Sequence, residues 1–242
     1  MAPHKLLLRY VVLSILIANN GSVNAQKRKP PAGGRVAIVV DDRLAAVRAT
    51  PQLNGTLVRR LGRGRLVAIR GKREGKDGVV FFFVNVTSRT HGWIQREALV
   101  SPSQRGDDAR VVRIVKSSAS EFERISLARI FLDYFPRSSL RPGILLLMGD
   151  TAEQVAQKLT KNVKKRLSSG SEEASEQSLY LNYPGLDRYN RQGIKFVFDS
   201  RAKGLHYDGW AWREIVRVHR KSPESQEAIK RLRESENRVG SR

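Results

Sequence analysis

Residues 47–69 read VRATPQLNGTLVRRLGRGRLVAI, and residues 78–100 read GVVFFFVNVTSRTHGWIQREALV. These two stretches decide the fold. Short apolar, β-branched and aromatic runs are separated by turn signals at Thr50-Pro51, Asn54-Gly55 and Gly62–Gly64. Val36–Val40 adds an apolar, β-branched run in front, and Gly92-Trp93-Ile94 closes the set. Gly71–Gly78 (GKREGKDG) reads as a charged hairpin loop. The pattern predicts a small antiparallel barrel or sandwich over residues 35–100. Within Gly78–Thr87, strand alternation puts Phe82, Val84 and Val86 on one face, the expected core. Phe81, Phe83 and Asn85 fall on the other. An aromatic pair there suits either a ligand platform or a face packed against the helices or the leader.

The order of these residues resembles a bacterial SH3-type (SH3b) domain. Val47, Arg48, Pro51, Gly55, Leu61, Gly64 and Val67 match its opening strand, turn and second strand. Phe82, Val84, Gly92, Trp93, Ala98 and Leu99 match its aromatic strand, G-W pair and closing turn. Two features depart from the family pattern: the insert KREGKDG and three consecutive Phe residues. The resemblance implies a small barrel that binds cell-wall material or a partner peptide in an aromatic-lined groove. On that reading the ligand-facing candidates are Phe81, Phe83 and Trp93. Arg63, Arg65, Arg89 and His91, together with Arg59, either form a basic rim for an acidic peptide or sugar or are simply a solvated charged surface.

Downstream the pattern turns helical. Residues 101–117 read as a linker and residues 118–238 as an α-helical region. Ser118-Ala119-Ser120-Glu121 offers a capping box, and Phe122 to Phe135 follow at helical spacing until Pro136. A second helix is expected from Pro142 to Leu167, with Gly149 a point of interruption. Ser168–Glu176 is polar, and Leu179–Asp208 is irregular except for Lys195–Asp199, a short strand or a helix edge. Helices over Trp210–His219 and Glu224–Leu232 follow, with Ser222 as N-cap and Pro223 at the first helical position. The turns at Phe135-Pro136-Arg137-Ser138 and His219–Glu224 resemble those of tetratricopeptide-like hairpins, although the roughly 34-residue tandem period is missing. The fold class expected is α+β and multidomain: a small all-β SH3-like barrel, then α-helical hairpins.

Ahead of the barrel, Lys5 and Arg9 precede an apolar run of nine residues, Tyr10–Ala18, and Val23-Asn24-Ala25 offers a small-residue cleavage site. A spanning helix needs about 20 residues. Residues 1–25 therefore read as a secretory signal peptide, the alternative being an uncleaved N-terminal anchor, and residues 26–34 as a basic Pro/Gly leader. Cleavage would leave 217 of the 242 residues and lower the formal charge from +22 to +20. An exported chain with that surplus attracts anionic partners such as cell-wall polymers, acidic peptides or lipid headgroups; export argues against nucleic acid. Lys158, Lys161, Lys164, Lys165 and Arg166 form either an anion-binding helical face, including contact with an anionic membrane surface, or the ordinary polar side of an amphipathic helix.

The chain has no cysteine, which excludes disulfides, thiolate metal sites and cysteine-based catalysis. No metal-binding His pair and no GxSxG elbow occurs. Glu97, Asp150 and Asp199 are isolated, and nothing selects two of them as an acid pair. The His206–Trp212 stretch (HYDGWAW) has the aromatic spacing of helix packing. No cofactor is expected. The function expected is that of an exported binding or scaffold protein of the cell envelope. The rival is a cell-wall hydrolase whose helical region is catalytic.

Overall fold

In the five residues Val36–Val40 every side chain is apolar, so the first strand, beyond the exposed Arg35 that opens it, has no polar face to offer water. It is buried on both sides accordingly. Ala37 and Val39 point into one core, and Ile38 and Val40 into a second. Such two-sided burial is what a continuous apolar run encodes, where alternation encodes one buried face. In this computed structural model, residues 31, 33–168, 180 and 182–240 are described. The expected signal peptide, most of the leader and most of the polar stretch after Ser168 lie outside them.

Seven strands form one antiparallel sheet: β1 (Arg35–Val39), β2 (Ala46–Arg48), β3 (Leu57–Arg60), β4 (Leu66–Glu74), β5 (Val80–Asn85), β6 (His91–Gln95) and β7 (Leu99–Val100). Their order is β3-β2-β6-β5-β4-β1-β7. No pairing joins β3 to β7, so the sheet is open and the expected closed barrel is not formed. The inner core comprises Ala37, Val39, Val47, Val67, Val84, Val86 and Ile94, with Phe82 packed at its margin. This is the core face read from the alternation in β5.

The charged insert is not a loop throughout. Its first half, Gly71–Glu74, extends β4 past a register shift between Ile69 and Gly71. Only residues 75–78 turn, with Gly78 at φ +75°. The long β4 follows from the length of β5, whose residues Val80 to Phe83 pair with Glu74 to Gly71.

The expected linker also holds structure. Residues Asp107–Ser117 form helix α1, with Val111 and Val115 fully buried at i, i+4 spacing. Asp107 and Asp108 lie in its first turn, where carboxylates favour the helix dipole. Helix α2 (Glu121–Tyr134) is capped by Ser120, whose Oγ accepts a hydrogen bond from Glu123 N at 3.5 Å. The cap thus sits two residues beyond the expected Ser118. Helix α3 (Arg141–Ser168) runs through Gly149 without interruption.

The irregular stretch contains a short helix α4 (Leu186–Asn190) and a hairpin of β8 (Phe196–Asp199) and β9 (Gly204–Tyr207). Lys195–Asp199 is therefore strand over its last four residues. Helices α5 (Trp210–Val218) and α6 (Glu224–Gly240) complete the chain. The Ser222 hydroxyl makes no capping bond and is buried without a hydrogen-bond partner. Its carbonyl accepts from Ser225 N instead, at 3.1 Å.

The helices do not hang from the sheet as a separate body. Ile38, Val40, Leu66 and Val100 of the sheet share one core with Val115, Ile125, Phe131, Met148 and Trp212 of the helices. Fully burying each such side chain contributes about 1.5–3 kcal/mol.

Candidate functional site

The register of β4, β5, β6 and β2 builds the outer face of the sheet row by row. Phe83 is opposite Trp93, and Trp93 is opposite Arg48. One row along, Phe81 is flanked by Arg73 and Gln95. On the other side, Asn85 is opposite His91. Directly opposed residues share a face, so these side chains emerge together.

Three of them form a contiguous aromatic patch. The Phe83 and Trp93 rings are 5.2 Å apart at 60°, and Phe83 and His91 are 5.7 Å apart at 53°. Both separations lie in the range of favourable edge-on pairs. The Arg73 guanidinium lies 5.6 Å from the Trp93 ring centroid, within cation–π reach. Phe83 and Trp93 are half-buried and His91 is exposed, so the patch is both supported from below and open above.

Phe81 is not part of it. It belongs to the same face by alternation, yet it is fully buried. The roof comes from two loops far apart in sequence. A Cβ placed on Gly75 would meet Pro51 O at 2.7 Å and the Phe81 ring at 3.2 Å. Leu53 N donates to Asp77 Oδ2 at 3.4 Å, which ties the loop after β2 to the β4–β5 turn. Phe81 is thus a packing residue under that roof, and the expected Phe81–Phe83 platform is corrected to Phe83–Trp93–His91.

The basic rim does not assemble as expected either. Arg63 points away, toward α2. It donates to Val40 O at 3.2 Å, to Asp42 at 3.4 Å and to Glu123 at 2.5 Å, which makes it a tie across the sheet–helix seam. Arg65 is half-buried and donates to Val86 O at 3.3 Å. Arg89 is exposed in a turn where Thr87 Oγ1 accepts from Arg89 N and Thr90 N. Arg73, which the sequence reading passed over as part of the insert, supplies the cation at the aromatic patch. The signal was available: a residue pairing with Phe81 across β4–β5 must share its face.

A second concave region lies between α3 and the β8–β9 hairpin, a cavity of about 410 Å³ lined by Glu153, Thr160, Lys161, Asp199, Leu205 and His206 among others. Here two carboxylates line the same cavity, Glu153 from α3 and Asp199 from β8. Asp199 Oδ1 accepts from Arg201 N at 2.8 Å and Ala202 N at 3.2 Å, and these bonds hold its carboxyl below the usual range. Glu153 accepts from Tyr207 N at 3.0 Å and from Gln157 at 3.3 Å. Of the other two acids read as isolated, Asp150 pairs with Arg231 at 3.1 Å, and Glu97 lies in the short turn before β7. The HYDGWAW stretch packs as its spacing suggests. The Tyr207 hydroxyl accepts from Ala211 N at 2.8 Å, and Trp212 is buried against Tyr207 at 5.3 Å. Among the described residues no group of three metal-binding side chains converges.

The lysines of α3 do not form one free face. Lys158 pairs with Glu121, and Lys161 and Lys164 line the α3–hairpin cavity. Among the described residues no helix is long and apolar enough to cross a membrane. Comparisons of the chain with protein-family models, curated proteins and solved structures find no match.

Proposed function

We propose that the chain is exported and acts as a binding or scaffold protein of the bacterial cell envelope, its sheet an SH3b-like module that recognises cell-wall material or a partner peptide. The observation that carries this reading is the Phe83–Trp93–His91 patch, half-buried at its two large rings and open on its outer side, with Arg73 beside it. Aromatic side chains bring a large contact area at little conformational cost, and they dominate binding energy where they are supported and exposed. The apolar faces of sugars or aliphatic side chains stack on such rings. Arg73 then meets a carboxylate of the same ligand. The helices, resembling tetratricopeptide-like hairpins, supply a second interface. Any bond-making chemistry belongs to a partner.

The test is co-sedimentation of the mature chain with insoluble peptidoglycan and capture from envelope extracts. Trp93→Ala is expected to weaken binding by about 30-fold, the scale of a central aromatic anchor. Trp93 and Phe83 are half-buried, so circular dichroism checks that each variant keeps its fold. Wild-type binding by both Trp93→Ala and Phe83→Ala would refute the placement. Fractionation is expected to find a product lacking residues 1–25 outside the cytoplasm; unprocessed protein in the cytosol would remove the premise.

A second reading, a cell-wall hydrolase, gains support from one observation: Glu153 and Asp199 line the same cavity. It predicts release of soluble fragments from peptidoglycan by the mature protein, lost in Glu153→Gln. Absence of release by the wild type would remove it.

A further inference from the structure

A cavity of about 280 Å³ opens at the end of the sheet, between β1, β4, β5 and the segment leading into α1. Its floor is apolar, made by Ile69, Phe82, Leu99 and Val100. Its rim carries Arg35, Lys72, Arg96 and Arg110. None of these four cations forms an ion pair among the described residues. The single acid on the wall, Asp107, already accepts from Ser101 N at 2.7 Å. Two of the cations are held in place by neutral groups. Arg110 donates to Leu99 O at 2.7 Å and to Glu97 O. Arg35 donates to Gln104 Oε1 at 3.0 Å and lies 5.8 Å from the Phe82 ring. Lys72 and Arg96 line the opening and are exposed.

Four like charges around a concave, apolar-floored site repel one another, and an anion entering it relieves that repulsion while the low-dielectric wall strengthens each contact. We propose that this cavity binds a phosphate monoester carried on a compact apolar stem. A dianion matches the surplus of cations better than a carboxylate does, and guanidinium forks suit phosphate oxygens. The stem lies on Ile69 and Phe82. The volume is at the small end for ligand sites, which limits the stem to about the size of one aromatic ring. The site is distinct from the Phe83–Trp93 patch: Phe82 alternates with Phe83 and faces the other way.

The probe is phenyl phosphate, titrated calorimetrically into the mature chain, with inorganic phosphate, phenylacetate and benzyl alcohol as comparisons. Phenyl phosphate is expected to bind at least tenfold more tightly than any of the three. The exposed pair Lys72→Ala/Arg96→Ala is expected to lose about tenfold or more, and a control at an exposed lysine remote from the cavity, Lys221→Ala, to lose nothing. Phosphate esters occur both as soluble molecules and as lipid headgroups. Co-sedimentation with phosphatidic acid vesicles that the double variant abolishes assigns the lipid source; phenyl phosphate binding without vesicle binding assigns the soluble one. Equal affinity for inorganic phosphate or phenylacetate, or full phenyl phosphate affinity in the folded double variant, would overturn the proposal.

Discussion

Replacing Gly149 with alanine is expected to destabilise the protein, although alanine is the better helix former. Gly149 lies inside α3, against the Trp212 indole. A Cβ there would sit 2.9 Å from both Cδ1 and Cε2, where ordinary contact begins near 3.4 Å, and it would meet Nε1 more closely still. Clearing the nearest atom, Nε1, requires the ring to retreat by about an ångström. It has nowhere to go: Trp212 is 1% exposed and packed against Tyr207 at 5.3 Å. Overpacking of this kind costs about 1–3 kcal/mol. The helix gains about 1 kcal/mol when alanine replaces an interior glycine. The balance is a loss of about 1 kcal/mol. Gly143, near the start of the same helix, provides the control, because a Cβ there meets only Glu224 Oε1 at 3.5 Å. Gly143→Ala is expected to gain about 0.5 kcal/mol. Urea unfolding of the two variants should shift the midpoint in opposite directions, by up to about 0.5 M for Gly149→Ala. A Gly149→Ala midpoint at or above wild type would refute the packing argument.

Phe81→Ala should cost about 3–5 kcal/mol by opening a cavity under its roof, while Phe83→Ala should cost about 1 kcal/mol; equal losses in urea unfolding would contradict the division between packing and patch. Arg63 and Glu123 should couple by about 1 kcal/mol or more in a double-mutant cycle built on Arg63→Met and Glu123→Gln, and strict additivity would show that their contact does not tie sheet to helices. Burial raises the Tyr207 hydroxyl above its ordinary value near 10, despite the opposing bond from Ala211 N. The unfolded chain then ionises first, so the stability from Tyr207 is intact below pH 10 and is lost as pH climbs from there toward the folded value. Tyr207→Phe should be less stable at pH 7 by about 1 kcal/mol, having lost the acceptor, yet show a flatter decline between pH 10 and 12. An unchanged alkaline slope would count against that assignment.

What the sequence disclosed was local, and what it withheld was tertiary. The alternation of Phe82, Val84 and Val86 identified the inner core of the sheet because period-two patterning is a property of one strand. Helix α1 leaves a weak mark in the sequence because its apolar residues are β-branched (Val111, Val112, Ile114, Val115) and cover only about one and a half turns. The β8–β9 hairpin was half-visible as KFVFD, but its second strand, GLHY, is only four residues long and opens on glycine, too short for its alternation to stand out. The fate of the candidate site residues turned on distant partners. Arg63 is claimed by Glu123, and Phe81 is roofed by the Pro51 and Gly75 loops, contacts that no neighbouring residue announces. Trp93, Phe83 and His91 came together because adjacent strands in register bring opposed residues side by side. Once β5 and β6 are aligned, that outcome needs nothing further.

Because β1 is apolar on both sides, the β half of this chain is not a cassette. Excised at residue 100, it would present Ile38, Val40, Leu66 and Val100 to water as an adhesive stripe. Truncations meant to isolate it invite precipitation unless α1 and α2 travel with it. Gene-level shuffling faces the same barrier: transplanting this sheet onto another partner requires a recipient surface already shaped to receive that stripe.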